Sequence, residues 1–149
     1  MRLLIGLSLL LLTTTAVGQD SQKIKTDKIE GVICTNFASW KSVVPATEYW
    51  TPTKDDVLAA ETQIEAYLKT NSKNFRTTDL WRKLPDYKRQ YIGIVVNGHK
   101  RIFCRFFCFF PGPLNDRAFW IEDGGECFFR VEYDLDDKQC YNFEANAYA

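Results

Sequence analysis

Steps of three and four separate Val57, Ala60, Ile64, Tyr67 and Leu68. That recurrence predicts an amphipathic helix from about Pro52 to Lys69 with one apolar stripe. Thr51 is expected to cap it, and Pro52 suits the first helical position because its missing N–H has no partner there. Asp55 and Asp56 then lie near the positive end of the helix dipole. After Asn71 and Ser72 the period is lost, and Leu80, Trp81 and Leu84 predict a short helical turn stopped by Pro85. From Gln90 the chain reads as sheet. Gln90 to Val96 is rich in β-branched residues, Asn97-Gly98 tolerates the positive φ of a tight hairpin, and Arg101 to Phe110 is the returning strand. Pro111-Gly112-Pro113 breaks that strand, and Phe119 to Ile121 resumes it. Asp123-Gly124-Gly125 makes a bend, and Cys127 to Asp134 continues. Leu135 to Lys138 turns, and Gln139 to Phe143 is the last strand.

Upstream of the helix the pattern differs. Met1 and Arg2 are followed by an almost unbroken apolar run, Leu3 to Leu12, and by small residues at Ala16 and Gly18. Residues 1–18 are expected to be a secretory signal peptide, since the run is about half the length of a spanning helix. Residues 19–50 read as an N-terminal arm and packed loop. Gln19 to Lys28 is polar and flexible, Ile29 to Phe37 is a short strand or a packed extended segment, and Trp40 to Trp50 is a loop with large side chains. Residues 51–149 form the helix-plus-sheet domain. The mature chain is expected to be secreted or periplasmic, with no membrane association after cleavage.

The element order predicts an α+β fold: one N-terminal helix packed on a four-stranded antiparallel sheet. Alternation assigns the faces. Ile102, Cys104, Phe106, Cys108 and Phe110 share one face, as do Cys127, Phe129, Val131 and Tyr133. Arg101, Arg105, Arg130 and Glu132 point the other way, together with Phe103, Phe107, Phe109 and Phe128.

Composition narrows the function classes. Hydrophobic residues make up 46% of the 149 and charged residues 26%, which suits a globular chain; aromatic residues reach 15%, which promises a core rich in rings. Lys plus Arg equals Asp plus Glu at 19 each, and loss of Arg2 leaves 18 basic against 19 acidic residues, a formal charge of −1. No broad basic field exists to hold nucleic acid.

Certain runs resemble a known group. Trp50-Thr51-Pro52 before a helix, Tyr87-Lys88-Arg89-Gln90-Tyr91-Ile92-Gly93 entering a strand, and Asp123-Gly124-Gly125-Glu126-Cys127-Phe128-Phe129 with Tyr133-Asp134 resemble an uncharacterised family of small secreted bacterial proteins. The resemblance runs from about Trp50 onward and implies a cohort rather than an activity. The order of elements also resembles the cystatin fold. Cystatins inhibit cysteine peptidases through a Gln-x-Val-x-Gly hairpin tip and a Pro-Trp tip. Here Gln90-Tyr91-Ile92-Gly93 is one residue short and starts a strand, and no Pro-Trp pair exists. The resemblance implies the fold without the inhibitory loops.

Five cysteines fall in the mature chain. In an oxidising compartment they are expected to pair where geometry allows. Cys104 and Cys108 on one strand stand roughly 13 Å apart, too far for a disulfide or a shared zinc. If the chain turns symmetrically about Asn115, Cys104 faces Cys127, the favoured bridge. Cys34 with Cys140 is a looser pairing, and Cys108 is left as a free thiol. His99, the single histidine, sits in the predicted turn without an oriented partner. Glu61 borders the helix stripe and pairs with Arg89 or Arg101, or has its pKa raised by burial. Asp123-Gly124-Gly125 lacks the Lys and following helix of a phosphate loop. Asp134, Asp136 and Asp137 suit a turn, with no later Glu in register for calcium. No metal site and no cofactor is expected.

Arg101, Phe103, Arg105, Phe107 and Arg130 are the one constellation above background. Arg beside aromatic rings on a sheet face suits a protein-binding surface, or else a second packing layer in which the N-terminal segment, with Trp40 and Trp50, covers the rings. The expected function is a non-enzymatic domain that recognises a protein or peptide through that face or the hairpin tips. The alternative is a small-molecule or hydrolytic pocket lined by Glu61, Tyr67 and Tyr133. A peptidase inhibitor by fold analogy is the third reading. Edge strands and an odd cysteine leave a homodimer open.

Overall fold

The computed structural model describes residues 21–77 and 79–148, so the expected signal peptide lies outside the described residues. The chain forms β1 (Gln22–Lys25), β2 (Glu30–Ile33), α1 (Phe37–Trp40), β3 (Glu48–Trp50) and α2 (Lys54–Thr70), then α3 (Leu80–Lys83), β4 (Lys88–Val96), β5 (His99–Phe107), β6 (Phe128–Asp134) and β7 (Gln139–Ala145). Short 3-10 turns follow α2 and α3 and precede β6.

The strands make a single mixed sheet in the order β1-β2-β4-β5-β6-β7, with β3 added beside β4. Only β2 with β4 is parallel, from Glu30 opposite Lys88 to Ile33 opposite Tyr91. The second half of β4 pairs with β3, from Glu48 opposite Val95 to Trp50 opposite Gly93. The expected fold of one N-terminal helix on four antiparallel strands is therefore corrected to a seven-stranded mixed sheet with three helices. The physical reason lies in residues 21–50. Gln22–Lys25 is a strand where a flexible arm was expected, Glu30–Ile33 takes the short-strand reading, and the packed loop ends in a strand at Glu48–Trp50. Each is only three or four residues, too short to show a period; β1 pairs locally with β2, while β2 and β3 are held by distant β4.

α2 begins two residues later than its sequence suggests. Thr53, not Thr51, is the cap: its Oγ1 accepts from Asp56 N at 3.1 Å, and its own N–H donates to Asp56 Oδ2 at 2.8 Å. This reciprocal box satisfies two end groups at once, and Pro52 is buried just before it. The stripe of Val57, Ala60, Ile64 and Leu68 packs on the sheet face that carries Ile102, Cys104, Phe106, Phe129, Val131 and Tyr133. Each such aliphatic side chain stabilises the fold by about 1.5–3 kcal/mol on burial.

The opposite face has its own core. Val32, Cys34, Trp40, Val44, Ile92, Ile94 and Phe103 form it, roofed by the segment between β2 and β3. Trp40 does cover this face, meeting Phe103 edge-on at 6.4 Å. Trp50 does not, because it packs on the helix side. Gly93 explains why β3 docks so closely: a Cβ there would lie 2.3 Å from the Trp50 carbonyl oxygen and 2.6 Å from its ring. The hairpin of β4 and β5 turns at Asn97 (φ 52°) and Gly98 (φ 81°), the two positive values a tight primed turn needs. Among the described residues no helix is long and apolar enough to cross a membrane.

Candidate functional site

The outer sheet face is not an open platform of rings. Phe103 and Phe107 are buried; Phe107, only 1% exposed, stacks on Phe119 at 5.1 Å and meets Phe110 and Phe128 edge-on. What remains open is a trough between two overlying segments. One depression of about 360 Å³ has Phe103, Arg105, Phe107 and Arg130 in its lining, walled by Trp120 and Glu122. A second of about 440 Å³ shares Val43, Phe103, Arg130 and Glu144 with it, so the two form one elongated groove. Trp120 is 62% exposed on its rim.

Four of the five residues expected from the sequence thus come together. Arg101 does not join them. Its Nε donates to Asp134 Oδ2 at 3.1 Å and its Nη1 to Glu132 Oε2 at 3.0 Å, and its guanidinium lies over the Tyr141 ring. Trp120, Phe119 and Val43 were missed as site residues: no strand resumes at Phe119–Ile121 as expected, and that segment, like Val43, is irregular backbone. Asp116 holds the two overlying segments together. Its Oδ2 accepts from Asn36 N at 3.2 Å, and its carbonyl accepts from Trp40 Nε1 at 2.9 Å. Gln90, wholly buried in β4, pins the same loop by donating Nε2 to the carbonyls of Asn115 and Arg117.

Arg105 is the unusual member. Its Nη1 donates to the Phe119 carbonyl at 2.9 Å, and its guanidinium lies within 5.0–5.6 Å of the Trp40, Phe107 and Phe119 rings. Among the described residues no carboxylate pairs with it. Directly opposite in the sheet stands Arg130, a like charge. Burial first, and then Arg130, push the Arg105 pKa down to about 10, which leaves it charged at neutral pH. Arg130 itself reaches Glu144, an exposed partner.

The disulfide differs from the expected ones. Cys108 is bridged to Cys127, with Cα atoms 4.9 Å apart. Arg101 faces Asp134 and Phe107 faces Phe128, so one further step brings Cys108 opposite Cys127, while Cys104 faces Val131. The loop turns nearer Arg117 than Asn115, and that shift overturns the Cys104–Cys127 pairing. Cys34 and Cys140 lie on opposite sides of the sheet and cannot meet. Cys34, Cys104 and Cys140 are free. Burial raises all three thiols, Cys140 to about 12, so none is a thiolate nucleophile at neutral pH.

The pocket candidates separate. Glu61 lines a cleft of about 460 Å³ beside α2 with Arg89, Trp81 and Leu84; Tyr67 and Tyr133 are not in its lining. Glu61 Oε1 accepts from Arg89 Nε at 3.0 Å and from the Tyr91 hydroxyl at 2.6 Å. Arg89 also donates from Nη1 to the Tyr87 carbonyl and from Nη2 to the Leu84 carbonyl. Burial pushes the Glu61 carboxyl up against the pull of Arg89. Burial likewise raises Tyr67, on α2, and Tyr133, on β6 opposite Cys140.

The turn acids and the glycine bend are structural. His99, Asp134 and Asp136 each bring an atom within 4.8 Å of the others. Arg101 already occupies Asp134 Oδ2, and Asp134 Oδ1 accepts from the N–H groups of Asp136 and Asp137, so a cation there would meet a guanidinium. After the bend at Gly124, the buried Glu126 carboxylate accepts from Arg76 N and Thr77 N at 2.8 Å each, anchoring the chain beyond α2. No protein-family model, no curated protein and no solved structure matches this chain.

Proposed function

We propose that this chain is a non-enzymatic binding domain that recognises a protein or peptide partner along the outer-face trough. One observation carries the reading. Arg105 and Arg130 line a single elongated groove with buried aromatic rings for a floor and Trp120 exposed on its rim. Exposed aromatic groups beside Arg are the residue types over-represented at binding hot spots. Secretion fits this reading through the expected signal peptide and the bridged Cys108–Cys127 pair. Phe107 is part of the packed floor, so its removal would damage the fold, and the test falls on exposed groups. Peptides selected from a displayed random library should bind wild-type protein and lose at least about tenfold in affinity on Trp120→Ala, about 1.4 kcal/mol. Selected peptides that bind Trp120→Ala equally well would refute the trough as the site.

A second reading has one observation in its favour, the cleft beside α2 with Glu61 and Arg89 in its lining. A ligand there would raise the melting temperature in a metabolite panel, and Glu61→Gln would abolish the shift. A flat panel counts against it. The inhibitor reading rested on the four-stranded element order and draws no support from the mixed sheet.

A further inference from the structure

Among the described residues, the positive charge on the floor of the trough has no negative partner, and this defines what fills it. Arg105 makes one hydrogen bond to protein, to a neutral carbonyl. It is held between rings and faces Arg130 across the ladder. Like charges placed directly opposite destabilise a sheet, and a guanidinium has a planar fork of donors that matches two oxygens of one carboxylate. The rim sets an upper limit on charge. Glu122 and Glu144 are in the same lining and Glu144 already pairs with Arg130, so the one uncompensated guanidinium there, Arg105, calls for a single carboxylate rather than a polyanion. The walls ask for apolar bulk, since Phe103, Phe128, Trp120 and Ile121 flank the two guanidinium groups. The length asks for a chain, because the groove continues past Arg130 to Pro45 and Val96.

Building on the proposed binding function, we infer that the trough takes an extended peptide segment in which one Asp or Glu stands beside large apolar side chains, the carboxylate docking between Arg105 and Arg130. A neutral segment of the same shape loses the charge-assisted contact, whereas a nucleic acid or acidic tract brings more negative charge than one guanidinium pairs.

Calorimetric titration with an acetylated and amidated pentapeptide, GFEFG, tests this against its Gln counterpart, GFQFG. The Glu peptide is expected to bind at least about tenfold more tightly, because only it makes the charge-assisted contact. Arg105→Gln should bring that ratio to near one, while Trp120→Ala weakens both peptides alike. If Arg105→Gln fails to fold, Arg130→Gln, at a half-buried position, must reduce the ratio in its place. Equal binding of the two peptides by wild type, with loss on Trp120→Ala, overturns the carboxylate inference and leaves the binding surface standing. No binding of either peptide, together with no library-selected binder, overturns both. Binding of 3-phenylpropionate as tight as that of the Glu peptide overturns the extended-peptide occupant in favour of a small acid.

Discussion

Asp134 is fully buried and charged, and its partners decide its pH behaviour. Burial alone would raise its pKa. The Asp137 N–H, the Arg101 guanidinium and the Asp136 N–H outweigh burial and hold the carboxyl below its ordinary value of 3.8. A folded-state pKa lower than the unfolded one stabilises the fold above the unfolded value. That contribution disappears as pH falls through the folded value. Asp134→Asn is therefore expected to unfold at a lower temperature than wild type at pH 7, and the gap should close as pH falls through the lowered folded-state value. Melting curves at pH 7 and in acid check this, and a gap that does not narrow in acid would contradict it. At this scale the sequence was partly legible. Glu61 on the edge of an apolar stripe had two candidate partners, Arg89 and Arg101, and burial chose between them. Arg89 lies on the helix side within reach of Leu84 and Tyr87, whereas Arg101 lies outside among Glu132 and Asp134.

The loop between β5 and β6 is the element on which the trough depends. Cys108 and Cys127 close it at its base, and within it Phe110 and Phe119 pack on Phe107 while Asp116 ties it to the segment near Trp40. Closing a loop of this size stabilises by roughly 3 kcal/mol in the chain-entropy account. Paired Cys108→Ser and Cys127→Ser substitutions should lower unfolding free energy by about 2–4 kcal/mol and weaken peptide binding, because the Trp120 wall is no longer held. Denaturant titrations of oxidised and substituted protein measure the first effect and calorimetry the second. Unchanged affinity would show that the wall keeps its place without the bridge. Hairpins were legible here because Asn97-Gly98 announces its own turn. The β5–β6 register was not, since nothing in Pro111 to Gly125 states where an irregular loop reverses. A shift of a few residues changed which cysteines face each other.

The described residues form a sheet with a hydrophobic core on each face. The helix side was legible from the stripe on α2 and the alternation in β5 and β6. The outer layer was only half legible. Its rings were visible on alternate positions, but its roof comes from a segment with no period, and Trp40 is wholly buried at its centre. Trp40→Ala should cost about 3–5 kcal/mol, as much as a large side chain lost from the helix-side core. Urea unfolding measures it, and a loss under about 1 kcal/mol would mean that the outer layer is ornamental to stability.

The parallel pairing of β2 with β4 has a kinetic consequence. Glu30 meets Lys88 across a separation of 58 residues, while β4 to β7 are joined by connections between sequence neighbours. Long closures must be completed before their contacts stabilise anything, so hairpins form early and distant ladders late. The segment carrying Val43 follows β2 directly and can settle on the outer face only after that late step. A partner that fills the trough is then a reader of maturity. Such a partner would engage chains whose first strands have found their place and pass over those still waiting for them.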